Sequence, residues 1–390
     1  MTMTGDDRDV QFLADVRTAA TIAGEAADDV DRAGRFPVEA VGSLRRLGCL
    51  GAAVPADLGG RDVSFEALCS ACFELGRRCG STGMIFAMHQ IQVACIVRHL
   101  AGSELLSRYL TEVGTEGRLI ASATAEEGTG GNLRQSIAPL EPLGDGSARF
   151  EKRAPTVSYG ERADDLLVTL RRSPQAERTD QVLVLVPANS ASLQQIDEWD
   201  TLGMRGTCSP GFVIRAQVTH DQVIPAPFEA IAAETMVPCA HILWAHCWLG
   251  IASDAFARAR AFSRTRHRPS SEGGTAATRL SQLSAELAAM RALLKDTRVE
   301  YQSTKDDPGR EVFMTLGYAI RINNVKVMAA ETAVSVCQKA LNMCGLAGYK
   351  NDTEFSVNRH LRDALSAPLM VSNDRIHDTN ARLLLLHDGT

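Results

Sequence analysis

A glycine-rich segment, Gly128-Thr129-Gly130-Gly131, is the first candidate for ligand binding in this sequence. Successive glycines let backbone N–H groups approach a flat or anionic ligand closely. The segment follows a β-rich run, Leu119 to Thr124, but it lacks the Gly-x-Gly-x-x-Gly spacing of dinucleotide sites. No helix with an acidic residue about 20 positions further on follows it either. The sequence therefore does not predict a Rossmann site, and a ligand loop and a plain turn remain as alternatives.

Cysteine residues are the second candidates, because thiols can bind metals or carry redox chemistry. The chain has 10 cysteines, which are scattered singly apart from Cys69 and Cys72. This pair falls inside a predicted helix, Phe65 to Arg78, and no second pair stands at ligand spacing, so a zinc site lacks its other ligands. We interpret the cysteines as reduced thiols of a protein core, and we predict a cytoplasmic location and no metal.

Composition excludes several classes of protein. The chain has 390 residues, which predicts two or three domains, and its 45% hydrophobic and 23% charged content is that of a folded globular protein. A net charge of -6 gives no broad positive field, which argues against nucleic-acid binding. No uninterrupted apolar run approaches the roughly 18–20 residues that span a bilayer, so we predict no membrane segment.

Hydrophobic patterning divides the chain into three parts. Residues 1–118 have helical spacing, residues 119–225 consist of short β-rich runs, and residues 226–390 are helical again. The strands are predicted over Leu119 to Thr124, Leu166 to Leu170, Gln181 to Val186 and Gly211 to Ile224. We therefore predict an α+β fold, with an N-terminal helical domain, a middle β domain and a C-terminal helical bundle.

Several motifs stand in the order and at the spacing found in a known family. They are Phe36-Pro37, Leu47-Gly48-Cys49-Leu50-Gly51, Gly59-Gly60, Ala125-Glu126-Glu127-Gly128-Thr129-Gly130-Gly131-Asn132, Val157-Ser158-Tyr159-Gly160, Leu202-Gly203-Met204-Arg205-Gly206-Thr207, Gly345-Leu346-Ala347-Gly348-Tyr349 and Arg362-Asp363-Ala364. On these motifs the chain resembles the acyl-CoA dehydrogenase superfamily over nearly its whole length. The resemblance implies a helical domain, a β-barrel and a four-helix bundle, assembled as a homotetramer.

The resemblance also implies a flavin bound between the barrel and the bundle, with part of the cofactor held by a neighbouring subunit. FAD is the cofactor that the family implies, and FMN is the alternative if the chain is a monooxygenase. Carried over position by position, the residues that would contact the flavin are Ser122, Ala125, Gly130, Gly131, Thr156, Val157, Ser158, Arg266, Asn342, Gly345 and Asn373.

Some of these positions differ from the family pattern. Ser158 stands where a hydroxyl touches the flavin ring, but Thr156 replaces a tryptophan and Ala125 replaces a flavin-contacting threonine. Asn342 stands where glutamine is usual. Arg266 matches the arginine that reaches the flavin pyrophosphate across the subunit interface, a contact that suits a planar guanidinium. The alternative for Arg266 is that it is one of several solvated bases.

The family's catalytic base is missing. A glutamate normally removes the α-proton of an acyl thioester, but its usual position falls on Val371 and its alternative position falls on Ala240. His241 adjoins the alternative position and has a suitable intrinsic pKa, although a structural histidine is the competing interpretation. Asp374 lies close to the usual position, and it could instead be an acid in the first turn of a helix. His89, on an apolar helix, is interpreted as a core residue.

Three hypotheses follow, and the resemblance favours the first. The first is a dehydrogenase of an acyl thioester, on CoA or a carrier protein, with a relocated base and an electron-transfer flavoprotein as acceptor. The second is a two-component monooxygenase that receives reduced flavin from a reductase and needs no glutamate. Against it, no histidine stands at Ala367 or Met370, where some sulfur-oxidising members have one. The third is a non-catalytic partner subunit without flavin.

Overall fold

The computed structural model describes residues 4–266, 275–305 and 310–387. The first part is helical, with α1 (Gly5–Ala33), α2 (Val38–Arg46), α3 (Phe65–Arg78), α4 (Gly80–His99) and α5 (Glu104–Glu116). α1 begins at a capping box formed by Thr4 and Asp7 and ends at Gly34, whose left-handed backbone stops the helix. α4 is apolar around most of its circumference and is buried between its neighbours.

Two sheets form the middle of the chain. The strands are β1 (Ile120–Ala123), β2 (Glu141–Pro142), β3 (Ser147–Ala154), β4 (Asp165–Arg171), β5 (Gln181–Pro187), β6 (Ala191–Gln195) and β7 (Phe212–Thr219). One sheet has the order β1-β4-β5, with β1 parallel to β4, and the other is antiparallel with the order β2-β3-β7-β6. β1, β4, β5 and β7 confirm the predicted strands, whereas β2, β3 and β6 were not predicted.

The last part is helical again, and a single π-helical turn, Ala232–Met236, joins its first two helices. Its helices are α6 (Phe228–Ile231), α7 (Val237–Arg266), α8 (Thr275–Lys305), α9 (Leu316–Cys344), α10 (Leu346–Tyr349), α11 (Asn358–Leu365) and α12 (Asn373–Leu384). The spacing of Leu280, Leu283, Leu287, Met290 and Leu294 by three and four predicts a seam against a partner helix, and all of these residues but the half-buried Leu280 are buried. Asp306-Asp307-Pro308-Gly309, whose sequence predicts a turn, lies outside the described residues.

Two apolar stretches pass a length and composition test for spanning a membrane. They are Gly80–His99 and Phe228–Thr265, and 83% of the most apolar window of each is buried inside the molecule. Burial of that extent is what core helices show, so the length of these helices is explained by the packing of the fold.

Helices α3 and α7 touch backbone to backbone at glycines. A Cβ atom added at Gly76 would lie 2.4 Å from the carbonyl oxygen of Cys247, and one added at Gly250 would lie 2.4 Å from that of Phe73. No side chain fits at either position, because real Cβ atoms do not approach carbonyl oxygens so closely. The two glycines therefore set the distance between the N-terminal helices and the bundle.

The turn 202–207 packs against α11. A Cβ atom added at Gly203 would lie 2.0 Å from the carbonyl oxygen of Arg362, and the backbone N–H of Met204 donates to Oδ1 of Asp363 at 2.7 Å. Burial raises the pKa of Asp363 to about 6. Two motifs that are far apart in the sequence thus meet and join the sheets to the bundle.

Replacing Gly250 by alanine tests the close approach of α3 and α7. Gly250→Ala is expected to lower the free energy of unfolding by about 1–3 kcal/mol, because the added methyl group must displace the α3 backbone. Gly5→Ala is the matched control, since nothing lies within 4 Å of a Cβ atom at Gly5. The measurement is urea unfolding of both variants; equal midpoints for the two would contradict this packing.

Candidate functional site

A chain of hydroxyl groups ends at Ser158. Thr207 donates its hydroxyl hydrogen to the carbonyl oxygen of Met204 at 2.8 Å, and its Oγ1 lies 2.9 Å from Oγ of Ser209. Ser209 in turn donates to Oγ of Ser158 at 2.9 Å, while Thr156 donates to the carbonyl oxygen of Ser209 at 3.0 Å. Because Ser158 accepts in this chain, its own hydroxyl hydrogen remains available to a ligand.

The glycine-rich segment 128–131, which we call the glycine loop, is anchored by the buried carboxylate of Glu126. This carboxylate accepts hydrogen bonds from Ser136 Oγ at 2.7 Å and from the backbone N–H groups of Ile137 at 3.1 Å and Ala138 at 2.6 Å. The ammonium of Lys152 lies 3.6 Å from it, and burial lowers the pKa of Lys152 to about 8. The buried cluster fixes both ends of the loop.

The glycine loop lies against the start of α12. Gly128, Gly130 and Gly131 have φ values of 82°, 59° and 75°, which favour glycine. A Cβ atom at Gly131 would lie 2.4 Å from a guanidinium nitrogen of Arg375, so the guanidinium occupies the space of a side chain at this position. Arg375 is exposed and has no ion pair with any described residue. Sequence reasoning missed it, because its contact with Gly131 is defined only by the fold.

The segment 371–373, which joins α11 to α12 and holds the usual base position, is bound to a buried lysine. Val371 is 45% exposed and has a left-handed backbone with φ of 46°. Lys326, on α9, donates to the carbonyl oxygen of Val371 at 2.9 Å and to Oδ1 of Asn373 at 2.6 Å. Sequence reasoning missed Lys326, because a single lysine in an apolar helical pattern usually reaches solvent.

His241 is buried and bound to the backbone. Its Nδ1 lies 3.1 Å from the carbonyl oxygen of Ile322, which can only accept, so Nδ1 carries the hydrogen. Burial lowers the pKa of His241 to about 4, and the nearby charge of Lys326 acts in the same direction. The imidazole is therefore neutral at pH 7 and is a weak base. Trp244 and Trp248 follow it along the same face of α7.

The remaining candidates lie in different places. Asp374 is exposed in the first turn of α12, and Ala240 is buried. Ser122 and Ala125 lie at the end of β1, Val157 is buried beside Ser158, and Gly345 ends α9 with φ of 56°. Asn342 lies on the exposed face of α9 and lines a groove with Glu331, Ser335, Lys339 and Pro368. The side chain of Arg266 lies outside the described part of the chain.

Other candidates are structural. His89 is buried, with Nε2 at 2.8 Å from the carbonyl oxygen of Leu50 and Nδ1 accepting from the backbone of Ile120 at 3.1 Å, which confirms the prediction of a core histidine. Cys69 and Cys72 are free, buried thiols of α3. Within the described residues, no group of three or more His, Cys, Asp or Glu side chains could hold a metal ion.

Comparison with known proteins identifies the class. The chain matches the family described as acyl-CoA dehydrogenase, N-terminal domain, over residues 7–116, and acyl-CoA dehydrogenase, C-terminal domain, over residues 233–375. The chain therefore belongs to the acyl-CoA dehydrogenase superfamily, which confirms the predicted fold. Proteins similar to this chain bind flavins, FAD in acyl-CoA dehydrogenases and FMN in TdsC, in agreement with the expected flavin cofactor.

Similar proteins within the superfamily differ in their reactions. Dibenzothiophene monooxygenase of Mycolicibacterium goodii is 23% identical, with 82% of this chain and 80% of the relative covered. Human mitochondrial short-chain specific acyl-CoA dehydrogenase is 24% identical, with 87% of this chain and 80% of the relative covered. The crystal structure of FMN-bound TdsC from Paenibacillus sp. A11-2 matches with a TM-score of 0.84 at 22% identity, over 96% of this chain and 97% of that one.

Substitution of Glu126 tests the anchor of the glycine loop. Glu126→Ala is expected to lower the free energy of unfolding by about 3–5 kcal/mol, because it removes the acceptor of three hydrogen bonds and leaves the Lys152 ammonium, which still donates to Thr169, buried without a carboxylate. The neighbouring Glu127 pairs with Arg153 at the surface, and Glu127→Ala should cost about 1 kcal/mol or less. Thermal and urea unfolding measure both variants, and similar stabilities for the two would contradict the assigned anchor.

Proposed function

We propose that this chain is the oxygenase component of a two-component flavin-dependent monooxygenase. The observation that carries the proposal is the chemistry of the two base positions: Val371 and Ala240 cannot accept a proton, and the adjacent His241 has a pKa near 4. A dehydrogenase needs a base with a pKa near the operating pH. An oxygenase that receives reduced flavin does not need one. A monooxygenase is among the similar proteins, at 23% identity over 82% of the chain, as is an acyl-CoA dehydrogenase at 24% over 87%.

Several groups of this chain fit a flavin. Glycines without Cβ atoms allow the loop backbone to approach the cofactor closely, and the guanidinium of Arg375 beside them, which has no ion pair among the described residues, suits a phosphate group. The hydroxyl of Ser158 and the amide of Asn373 can donate hydrogen bonds to it. When bound in its reduced form, the flavin supplies the electrons that activate dioxygen for transfer of one oxygen atom to a substrate. With this reaction we propose FMN, whereas FAD remains the cofactor for the dehydrogenase alternative.

The chain's own residues would bind and orient the cofactor and keep water from it. Glu126 and Lys152 hold the glycine loop in place, and the hydroxyl chain turns the hydrogen of Ser158 outward. Trp244 and Trp248 form an apolar surface on α7, and Trp248 lies beside Lys326. This apolar surface would limit the access of water to the cofactor. A flavin reductase would be the partner protein. We also propose that the chain assembles as a homotetramer, in which the groove at Asn342 and Arg266 would meet a neighbouring subunit's cofactor. We propose a cytoplasmic location.

Reaction with reduced flavin tests this proposal. The purified chain is mixed anaerobically with reduced FMN and then with oxygenated buffer, and flavin absorbance and hydrogen peroxide are followed. The chain is expected to slow reoxidation and peroxide release at least tenfold relative to free reduced FMN, because a bound cofactor is shielded from water. Ser158→Ala should lose part of this protection. If reduced FMN is reoxidised equally fast in the presence and in the absence of the chain, the proposal is contradicted.

A second candidate is an acyl-thioester dehydrogenase in which Asp374 is the base. The exposed carboxylate of Asp374 lies three positions after Val371, at the start of α12, and this placement is what favours it. On this alternative, a short-chain acyl-CoA would bleach the bound flavin anaerobically. Asp374→Asn would slow the bleaching at least 100-fold, and Asp378→Asn, an exposed residue of the same helix, would not. Bleaching in the wild type that survives in Asp374→Asn would rule out this base.

A further inference from the structure

Lys326 is a fully buried ammonium without a carboxylate partner among the described residues. Its relative exposure is 0%, and both of its hydrogen-bond acceptors, the carbonyl oxygen of Val371 and Oδ1 of Asn373, are neutral. The ring of Trp248 lies 5.9 Å from its Nζ. Burial lowers the pKa of Lys326 to about 8. A buried lysine is costly to fold, and these two acceptors compensate for its burial together with the ring of Trp248 and the more distant charge of Glu331.

The first acceptor belongs to a strained backbone. Val371 is β-branched and has φ of 46°, a conformation that costs about 1–3 kcal/mol and persists only when neighbouring contacts enforce it. The hydrogen bond from Lys326 to the Val371 carbonyl oxygen is one such contact, and the backbone bond from Asn373 N–H to Pro368 O at 2.9 Å is another. Lys326 therefore stabilises the turn that leads into α12.

The second acceptor defines how the side chain of Asn373 is oriented. An ammonium can only donate, so the atom that faces Lys326 is the amide oxygen. The amide nitrogen of Asn373 must then face away from the lysine, and its hydrogens have no acceptor among the described residues. Two positions further along α12, Arg375 lies against Gly131, which places this end of the helix beside the glycine loop.

We propose that Lys326 is a positioning residue for the flavin, which fixes the segment 371–373 and turns the amide donor of Asn373 toward the cofactor. The inference rests on the proposed flavin-binding function and deepens it. Lys326 does not itself touch the cofactor; it acts through Asn373. Removing the ammonium would free the amide to rotate and would release the left-handed turn.

A double-mutant cycle on flavin binding tests this role. FMN affinity, by fluorescence quenching, is compared for wild type, Lys326→Met, Asn373→Ala and the double variant. Each single change is expected to weaken binding about tenfold, the effect of one lost hydrogen bond. The double variant should bind no more weakly than Asn373→Ala, because both changes remove the same contact. Lys295→Met, at an exposed position of α8, is the control and should bind as wild type does.

Two further measurements separate positioning from general support of the fold. The visible circular dichroism of the remaining bound flavin should change in the same way in Lys326→Met and Asn373→Ala, whereas a loss of stability alone would leave it unchanged. Asn373→Asp keeps the oxygen that Lys326 needs but lacks the amide donor, so it should fold and still bind FMN at least tenfold more weakly. This variant decides the question if Lys326→Met does not fold.

The results that would contradict the role of Lys326 differ from those that would contradict the proposed function. Wild-type affinity in Lys326→Met or Asn373→Asp, or losses that multiply to about 100-fold in the double variant, would overturn the role of Lys326 and leave the proposed function intact. A wild-type chain that binds neither FMN nor FAD would overturn the proposed function and this inference together.

Discussion

The close approach of α3 and α7 at Gly76 and Gly250 is the constraint on which the rest of the structure depends. Because the two backbones touch, α7 cannot shift or rotate without moving the N-terminal helices. This contact fixes one side of α7, and the other side carries His241 and Trp248 toward α9. There His241 meets the carbonyl oxygen of Ile322, and Trp248 meets Lys326. The packing of small residues thus determines where the polar groups of the candidate site lie.

The candidate site combines donors and cations with exposed carboxylates. The donors and cations are the loop amides, the guanidinium of Arg375 and the ammonium of Lys326, and the carboxylates that adjoin the glycine loop and the segment 371–373 are Glu127 and Asp374. The one carboxylate that is buried beside the loop, Glu126, is saturated by hydrogen bonds and by Lys152. The cations suit an anionic ligand, and the exposed carboxylate of Asp374 is the group at this place that could accept a proton on the dehydrogenase alternative.

Much of the fold could be predicted from the sequence, because helices and buried strands have strong hydrophobic periods. The strand β4 contains the mostly apolar run 166–170, and the sequence predicted it, whereas β3 has three charged residues in succession, Glu151, Lys152 and Arg153, and was missed. The glycine loop and Ser158 could be found from local motifs. Lys326 and Arg375 could not be found in this way. Lys326 contacts Asn373 and Arg375 contacts Gly131, and in both pairs the two residues are far apart in the sequence and meet only in the folded chain.

A crystal structure of the chain with FMN is the most direct test of this account. We predict that the cofactor lies between the glycine loop and the segment 371–373, with the Asn373 amide donating to it and Lys326 behind that amide. No carboxylate oxygen of this chain should lie within hydrogen-bonding distance of the substrate side of the ring. A flavin bound elsewhere, or an aspartate or glutamate beside the ring where a base would act, would contradict the account.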